Sequence, residues 1–480
     1  MSVKFRATFD NKFTTPTQAA WRGQIKNDDR ALGALSNHLS AFVSCFSGLF
    51  KTKTNDGAEY AQLYVNGLLT QVARKNRERI NEHLDAGEYE NVQQFLSSSP
   101  WEESPVYERI ASRANARLGD RPDTCLIIDE SAHSKKGRAS VGVARQYNGR
   151  LGKQDNCQVG VYSALNCGTH TAIIGSKLYL PEEWVQDRER ALKAGVPEHE
   201  IKERSKLDLA RELIDQALEQ KVQFACIVLD AFYGRDSHLL EFLDERNLTY
   251  CAEVPANTNV FTERPTVKTR PDKIKEHTRR VGELAAQAAG DAKRPATKVS
   301  LREGENGLLQ AQAWAQRIWV WPAHQAQPKE QWLLIRKMSE GELKTSLSNA
   351  ALTTSVQRLA KWQAGRFHVE RAFQDAKSHL GMGQYQSRGW RAWHHHMSLV
   401  AMAQLFVMEE RMMQASTELS LLSTRDVVEL LDYCLTKPRT AAQVMSRLRT
   451  RHQQRQRNAE SARRRKRKEL GLHKSRKRAL

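Results

Sequence analysis

Two short apolar runs in the middle of the chain, CLIIDE at 125–130 and CIVLD at 226–230, each end in a carboxylate. Unbroken apolar runs this short, without helical spacing, predict buried strands, and ligands gather where such strands end. Upstream the pattern is different. Leu63, Val65, Leu68, Leu69 and Val72 recur near helical spacing, and similar periodicity predicts helices over 17–36, 58–85, 89–97 and 104–118. Downstream, strands are expected at 157–164, 171–180, 224–230 and 249–254, with helices at 207–220 and 237–246.

That order, three strands and then alternating helix and strand, predicts a mixed sheet with antiparallel early strands, the arrangement of ribonuclease H-like nucleases. No GxGxxG follows the first strand, which argues against a nicotinamide enzyme. Residues 262–294 are polar and basic. Short strands at 298–301, 307–314, 316–321, 331–338 and 343–348 then predict a largely β insertion. The expected domains are therefore a helical 1–118, a first catalytic part at 119–260, a β-rich insertion at 261–350, a second catalytic part at 351–420, and a helical region with a basic tail, helical or disordered, at 421–480.

Asp129 and Asp230, each closing a buried run, look like halves of one metal site, although an aspartate at a strand end also caps turns. A third carboxylate sits in RFHVERAFQDAKSHL. At about 100° per residue, Arg366, Glu370 and Lys377 fall within about 40° of one another, beside an apolar stripe of Val369, Phe373, Ala376 and Leu380. Such a helix can pack on a sheet while aiming one carboxylate and two cations at a neighbouring site. Its other reading is an ion-paired surface helix.

Other residues have more ordinary roles. Glu130 points opposite Asp129 in a continuing strand and is expected either to support the site from behind the first acid or to form a salt bridge. Asp236 is expected to cap the next helix. His394, His395 and His396 are consecutive, which places them on different helix faces and argues against a shared metal. Lys135 and Lys136 follow the first acid and either touch DNA or face solvent. Arg74, Lys75 and Asn76 fall on an expected long helix, with the same two readings. Trp314, Trp319 and Trp321 either fill a small core or stack on bases.

With 480 residues and 40% hydrophobic content the chain can build ordinary cores. Its longest apolar stretch, near 399–408, is too short to span a bilayer. MSVKFRATFD has no apolar signal region, which predicts a cytoplasmic protein. Seven cysteines without a CxxC pair predict reduced thiols and no zinc-cysteine site. The formal charge is +20. Most of that excess lies beyond Arg447, where it would attract phosphates without regard to sequence.

The chain resembles the DDE transposases of bacterial insertion sequences, in the branch whose third acid carries Tyr, two residues, Arg, three residues, Glu, six residues, Lys. Arg366, Glu370 and Lys377 match that spacing, and Gln363 stands at the Tyr position. The closer resemblance is to the group numbered seven hundred and one, through the stretch from DESAHSKKG to NCQVGVY at 129–162, KLYLPEEW at 177–184 and SRGWRAWHHHMSL at 387–399. It covers roughly residues 60–410.

The resemblance implies an Asp129, Asp230, Glu370 triad holding two Mg²⁺ ions, with Mn²⁺ as a substitute, in a ribonuclease H-like core. It also implies cleavage at terminal inverted repeats, joining to target DNA, and a dimer on paired ends. Arg366 and Lys377 would hold phosphates. One of the tryptophans, Trp319 among them, would meet a flipped base or hairpin. A metal-dependent nuclease that cuts without joining, or a non-catalytic nucleic-acid-binding protein, are the other readings.

Overall fold

The computed structural model describes residues 33–149, 151–265, 278–304, 307–322, 324–337, 341–414, 422–436 and 440–469. Its centre is a ten-stranded mixed sheet. β1 (Cys125–Ser134), β2 (Ala144–Asn148), β3 (Lys153–Cys167) and β4 (His170–Leu178) come first, then β5 (Cys226–Leu229) and β6 (Tyr250–Glu253). β3 lies antiparallel to β1 and to β4, whereas β5 runs parallel to both β1 and β6. Early antiparallel strands joined to later parallel ones match the sheet expected from sequence and fit a ribonuclease H-like core.

β1 does not stop at its carboxylates. It continues to Ser134, paired with β3 along its whole length, and only its β5 partner ends, at Leu229. Asp129 is therefore a mid-strand residue whose parallel neighbour has fallen away.

The insertion strands extend this same sheet. After the short pair β7 (Asn259–Val260) and β8 (Arg279–Arg280) come β9 (Thr297–Gly304), β10 (Gly307–Val320), β11 (Lys329–Lys337) and β12 (Leu343–Ser348). β12 pairs antiparallel with β6, so the hydrogen-bond ladder is continuous into the core. The two strands expected at 307–314 and 316–321 are one, because Ala315 pairs across to Leu334 without interruption. Alternation along β10 to β12 feeds two cores. Ala313 and Leu334 join the main cluster, while Trp314, Ile318, Leu333, Ile335 and Leu347 pack with Val281, Leu284, Ala285 and Ala288. Those last four belong to a helix, Val281–Gly290, inside a segment expected to be merely polar. Their i, i+3, i+4, i+7 spacing carried the signal, and the alanines muted it.

Numbering helices in chain order, α1 covers 33–44, and α2 (Ala58–Leu68), α3 (Arg77–Leu84), α4 (Tyr89–Ser97) and α5 (Glu103–Leu118) complete the N-terminal part. The rest of the helix expected at 17–36 lies outside the described residues. The single helix expected over 58–85 is broken into α2 and α3. Asn76 adopts extended backbone and its side chain accepts from the Arg79 N–H, which starts a new helix. Lys75, expected on a helix face, is instead buried, its ammonium on the Thr70 carbonyl, and desolvation lowers its pKa to about 8.

The remaining helices are α6 (Glu182–Gln186), α7 (Arg188–Lys193), α8 (Lys206–Glu219), α9 (Ala231–Gly234), α10 (Ser237–Glu245), α11 (Val281–Gly290), α12 (Val356–His379), α13 (Trp390–Gln414), α14 (Thr424–Leu435) and α15 (Ala441–Glu469). Ser355 caps α12, and Gly381, at φ 73°, turns the chain just past its end. α5, α12 and α13 cover the sheet face that carries Asp129: Tyr107 bonds Ser176, and Tyr162, opposite Asp129, packs on Phe373 and Trp393. α8 covers the other face, with α10 against it. Among the described residues no helix is long and apolar enough to cross a membrane.

Candidate functional site

Strand register builds the site. Ile128 pairs with Leu229 and Leu229 with Ala252, so the next residues, Asp129, Asp230 and Glu253, form one row across three parallel strands. Residues level with one another on neighbouring strands point to the same face, here the face under α12. Asp230 also caps α9, its Oδ1 accepting from the Phe232 and Tyr233 N–H groups at 2.9 and 3.1 Å. That fixes the carboxylate and leaves Oδ2 pointing away.

α12 lies across this row and delivers Arg366 and Glu370 to it. One guanidinium nitrogen of Arg366 is 3.0 Å from Glu370 Oε1 and 4.0 Å from Asp230 Oδ2, while the other meets Glu253 Oε2 at 3.1 Å. Asp129 is 6% exposed, and its Oδ1 accepts the adjacent Glu130 N–H at 2.8 Å. Burial pushes its carboxyl up to about 7. The Arg366 charge opposes this, and Asp230 and Glu370 add to it. The same acids raise the Arg366 pKa, against its own desolvation.

Four carboxylates thus surround one cation. With the guanidinium between them, the triad oxygens are not all within 4.8 Å of one another. The donor set is all oxygen and carries excess negative charge, which suits a hard divalent ion. Glu253 was missed from the sequence, although CAEV at 251–254 repeats the apolar-strand-then-acid pattern of the other two.

Other expected residues separate cleanly. Gln363, at the signature's Tyr position, is buried and donates to Ser346 Oγ at 2.6 Å, tying α12 to β12. Lys377 lies half-buried on the same face of α12, two turns beyond Glu370, and is already engaged with neighbours. Lys135 is half-buried. Its ammonium sits 3.5 Å from the Tyr385 ring centroid and 3.3 Å from the Tyr385 carbonyl, and desolvation lowers its pKa to about 8. Lys136 remains exposed and lines a basic cleft with Arg138, Arg145 and Arg190.

Trp314 is buried in the second core, and half-buried Trp319 has the Arg264 guanidinium 5.3 Å from its ring centroid. Glu130 pairs with Lys206 at 2.7 Å, and Asp236 caps α10 through the Leu239 N–H. The three histidines are buried and turn to different partners: Glu103, the Leu96 and Trp101 carbonyls, and Tyr64.

A row of acids level across three parallel strands, beneath a helix that adds a glutamate, is a nuclease-type arrangement, and the comparison of sequences agrees. The model of the DDE superfamily endonuclease family matches residues 42–319, and the chain belongs to that family. The match includes Asp129 and Asp230 and ends before Glu370. A probable transposase for insertion sequence element IS701 from Microchaete diplosiphon is 29% identical over 194 residues, 40% of this chain and 47% of that protein. The chain spans about half the length of the curated relative it matches.

Proposed function

We propose that the protein is a DNA transposase that cuts at the ends of an insertion element and joins them to target DNA, with Asp129, Asp230 and Glu370 holding two Mg²⁺ ions. The observation that carries this reading is the meeting of Asp230 and Glu370, from distant parts of the chain, on one Arg366 nitrogen. Asp129, Asp230 and Glu370 would hold the ions, whose chemistry there would be activation of the attacking water or 3′-hydroxyl and stabilisation of the leaving oxygen.

The protein's own groups prepare that chemistry. Asp129 and Asp230 are fixed by strand pairing and by the α9 cap, so the ligands are positioned before substrate arrives. Arg366 offsets the acids' charge in the absence of ions. Its buried Nε has no hydrogen-bond partner among the described residues, which leaves a donor for a phosphate oxygen. Lys377, two turns beyond Glu370 on α12, and Lys136, two residues past the end of β1, would add positive charge for DNA, and α15 would supply a basic arm for non-specific attraction. Trp319 remains the tryptophan to test against a flipped base. Terminal inverted repeats, a target duplex and a dimer on paired ends complete the reading, which places the protein with DNA in the cytoplasm.

A coupled assay tests it: Mg²⁺-dependent cleavage of DNA carrying the element's own ends, followed by strand transfer. The parent protein is expected to do both, and Asp129→Asn to bind DNA but do neither. Cleavage without joining would leave a nuclease. Unchanged cleavage by Asp129→Asn would remove the acid row from the chemistry altogether.

A further inference from the structure

A second cluster of ligating side chains lies outside the acid row. His238 and Glu241 stand three residues apart on α10, on one face of the helix. His324 approaches them from the connection between β10 and β11. Its Nε2 is 3.0 Å from Glu241 Oε2, its ring lies 4.1 Å from that of His238, and donor atoms of all three residues fall within 4.8 Å of one another. Among the described residues no other trio of His, Cys, Asp or Glu comes so close.

We propose that His238, Glu241 and His324 form a second metal site, for a borderline transition-metal ion of the Zn²⁺ type, chemically distinct from the acid row. Two imidazoles and one carboxylate are the donors such ions prefer, whereas all-oxygen sets suit Mg²⁺. Around a tetrahedral Zn²⁺ with bonds of about 2.0–2.2 Å, donors stand about 3.4 Å apart. The Glu241 to His324 pair is already near that separation; the His238 ring, stacked on His324 at an interplanar angle of 22°, would turn out of the stack to aim a nitrogen at the same ion. His238 and His324 are exposed, so ions reach the trio directly and water can complete the fourth position.

Hydrogen bonds tie the frame around the cluster on both sides. Asp236 caps the start of α10 two residues before His238. The turn carrying His324 is closed by Gln325 N–H to the Pro322 carbonyl at 3.0 Å and by Trp321 Nε1–H to the Gln325 carbonyl at 2.8 Å. A bound ion would pin this turn to α10, alongside the ion pair from Lys329 to Asp244 at 3.0 Å.

The test uses the full chain, freed of metal and held in excess Mg²⁺ so that the oxygen-only site is filled, then titrated with Co²⁺. The parent protein and Asp129→Asn are expected to bind one Co²⁺ with the visible absorption of imidazole ligation, displaced by Zn²⁺. His238→Ala and His324→Ala are each expected to lose at least roughly tenfold in Co²⁺ affinity, since even changes beyond the ligands cost that much, and to keep the parent's metal-free thermal midpoint. Zn²⁺ is expected to raise that midpoint in the parent and not in His324→Ala. A Co²⁺ spectrum unchanged by both histidine substitutions, or none in the parent, would overturn the proposal.

Discussion

Replacing Asp129 with Asn separates stability from function. Asp129 is buried, and its carboxyl is pushed from the ordinary 3.8 up to about 7 by burial first and by Asp230 and Glu370 after it. The folded chain therefore keeps a proton that the unfolded chain has already released. With respect to this group, stability is complete below about pH 4 and falls as pH rises towards 7. The decline is about 1.4 kcal/mol per pH unit, reaching about 4 kcal/mol, and it levels off above 7. Asparagine has no such titration.

In metal-free buffer at pH 8, Asp129→Asn is thus expected to be more stable than the parent by up to about 4 kcal/mol, and the two to converge near pH 4. Mg²⁺ should reverse the order, raising the parent's midpoint and leaving the variant's nearly unchanged, because the ion binds only the folded acid row. Denaturant unfolding across pH 4–8, with and without Mg²⁺, reads both effects. Parallel pH profiles, or a variant less stable than the parent at pH 8 without metal, would refute the reasoning.

Arg366→Ala leaves Asp129, Asp230, Glu253 and Glu370 without their shared cation, and is expected to destabilise the metal-free protein by about 3–5 kcal/mol, with partial recovery on adding Mg²⁺; urea unfolding measures both. Gln363→Tyr installs the signature's residue at a buried position already filled by the bond to Ser346, so overpacking should cost about 1–3 kcal/mol, measured the same way. Truncation after residue 440 removes α15, whose described side chains are exposed. DNA anisotropy across a salt series should then show weaker binding and a shallower salt dependence, by about 0.9 in slope for each phosphate that α15 no longer neutralises.

Strong local signals were legible in the sequence. Four apolar residues in CLII and CIVL could only be buried strands, and the wheel through Arg366, Glu370 and Lys377 placed charges and core on the right sides of α12. Residues whose roles depend on distant partners were not legible. Whether Lys135 meets solvent or the Tyr385 ring is decided by a segment some 250 positions away. Glu253 acquires its meaning from register with Asp230, which no local pattern states. The break between α2 and α3 was locally readable, since Asn76 is a strong cap, but helical periodicity on both sides concealed it. The joining of the insertion strands to β6 is likewise a matter of long-range pairing.

That Asp129, Asp230 and Glu370 hold divalent ions between them is tested most directly by anomalous diffraction from crystals grown with Mn²⁺ and element-end DNA. Two peaks are expected over the acid row, each within bonding distance of at least one of the three carboxylates, with Arg366 turned towards a phosphate. Peaks elsewhere only, or an Arg366 still seated among the carboxylates with DNA and Mn²⁺ bound, would contradict it.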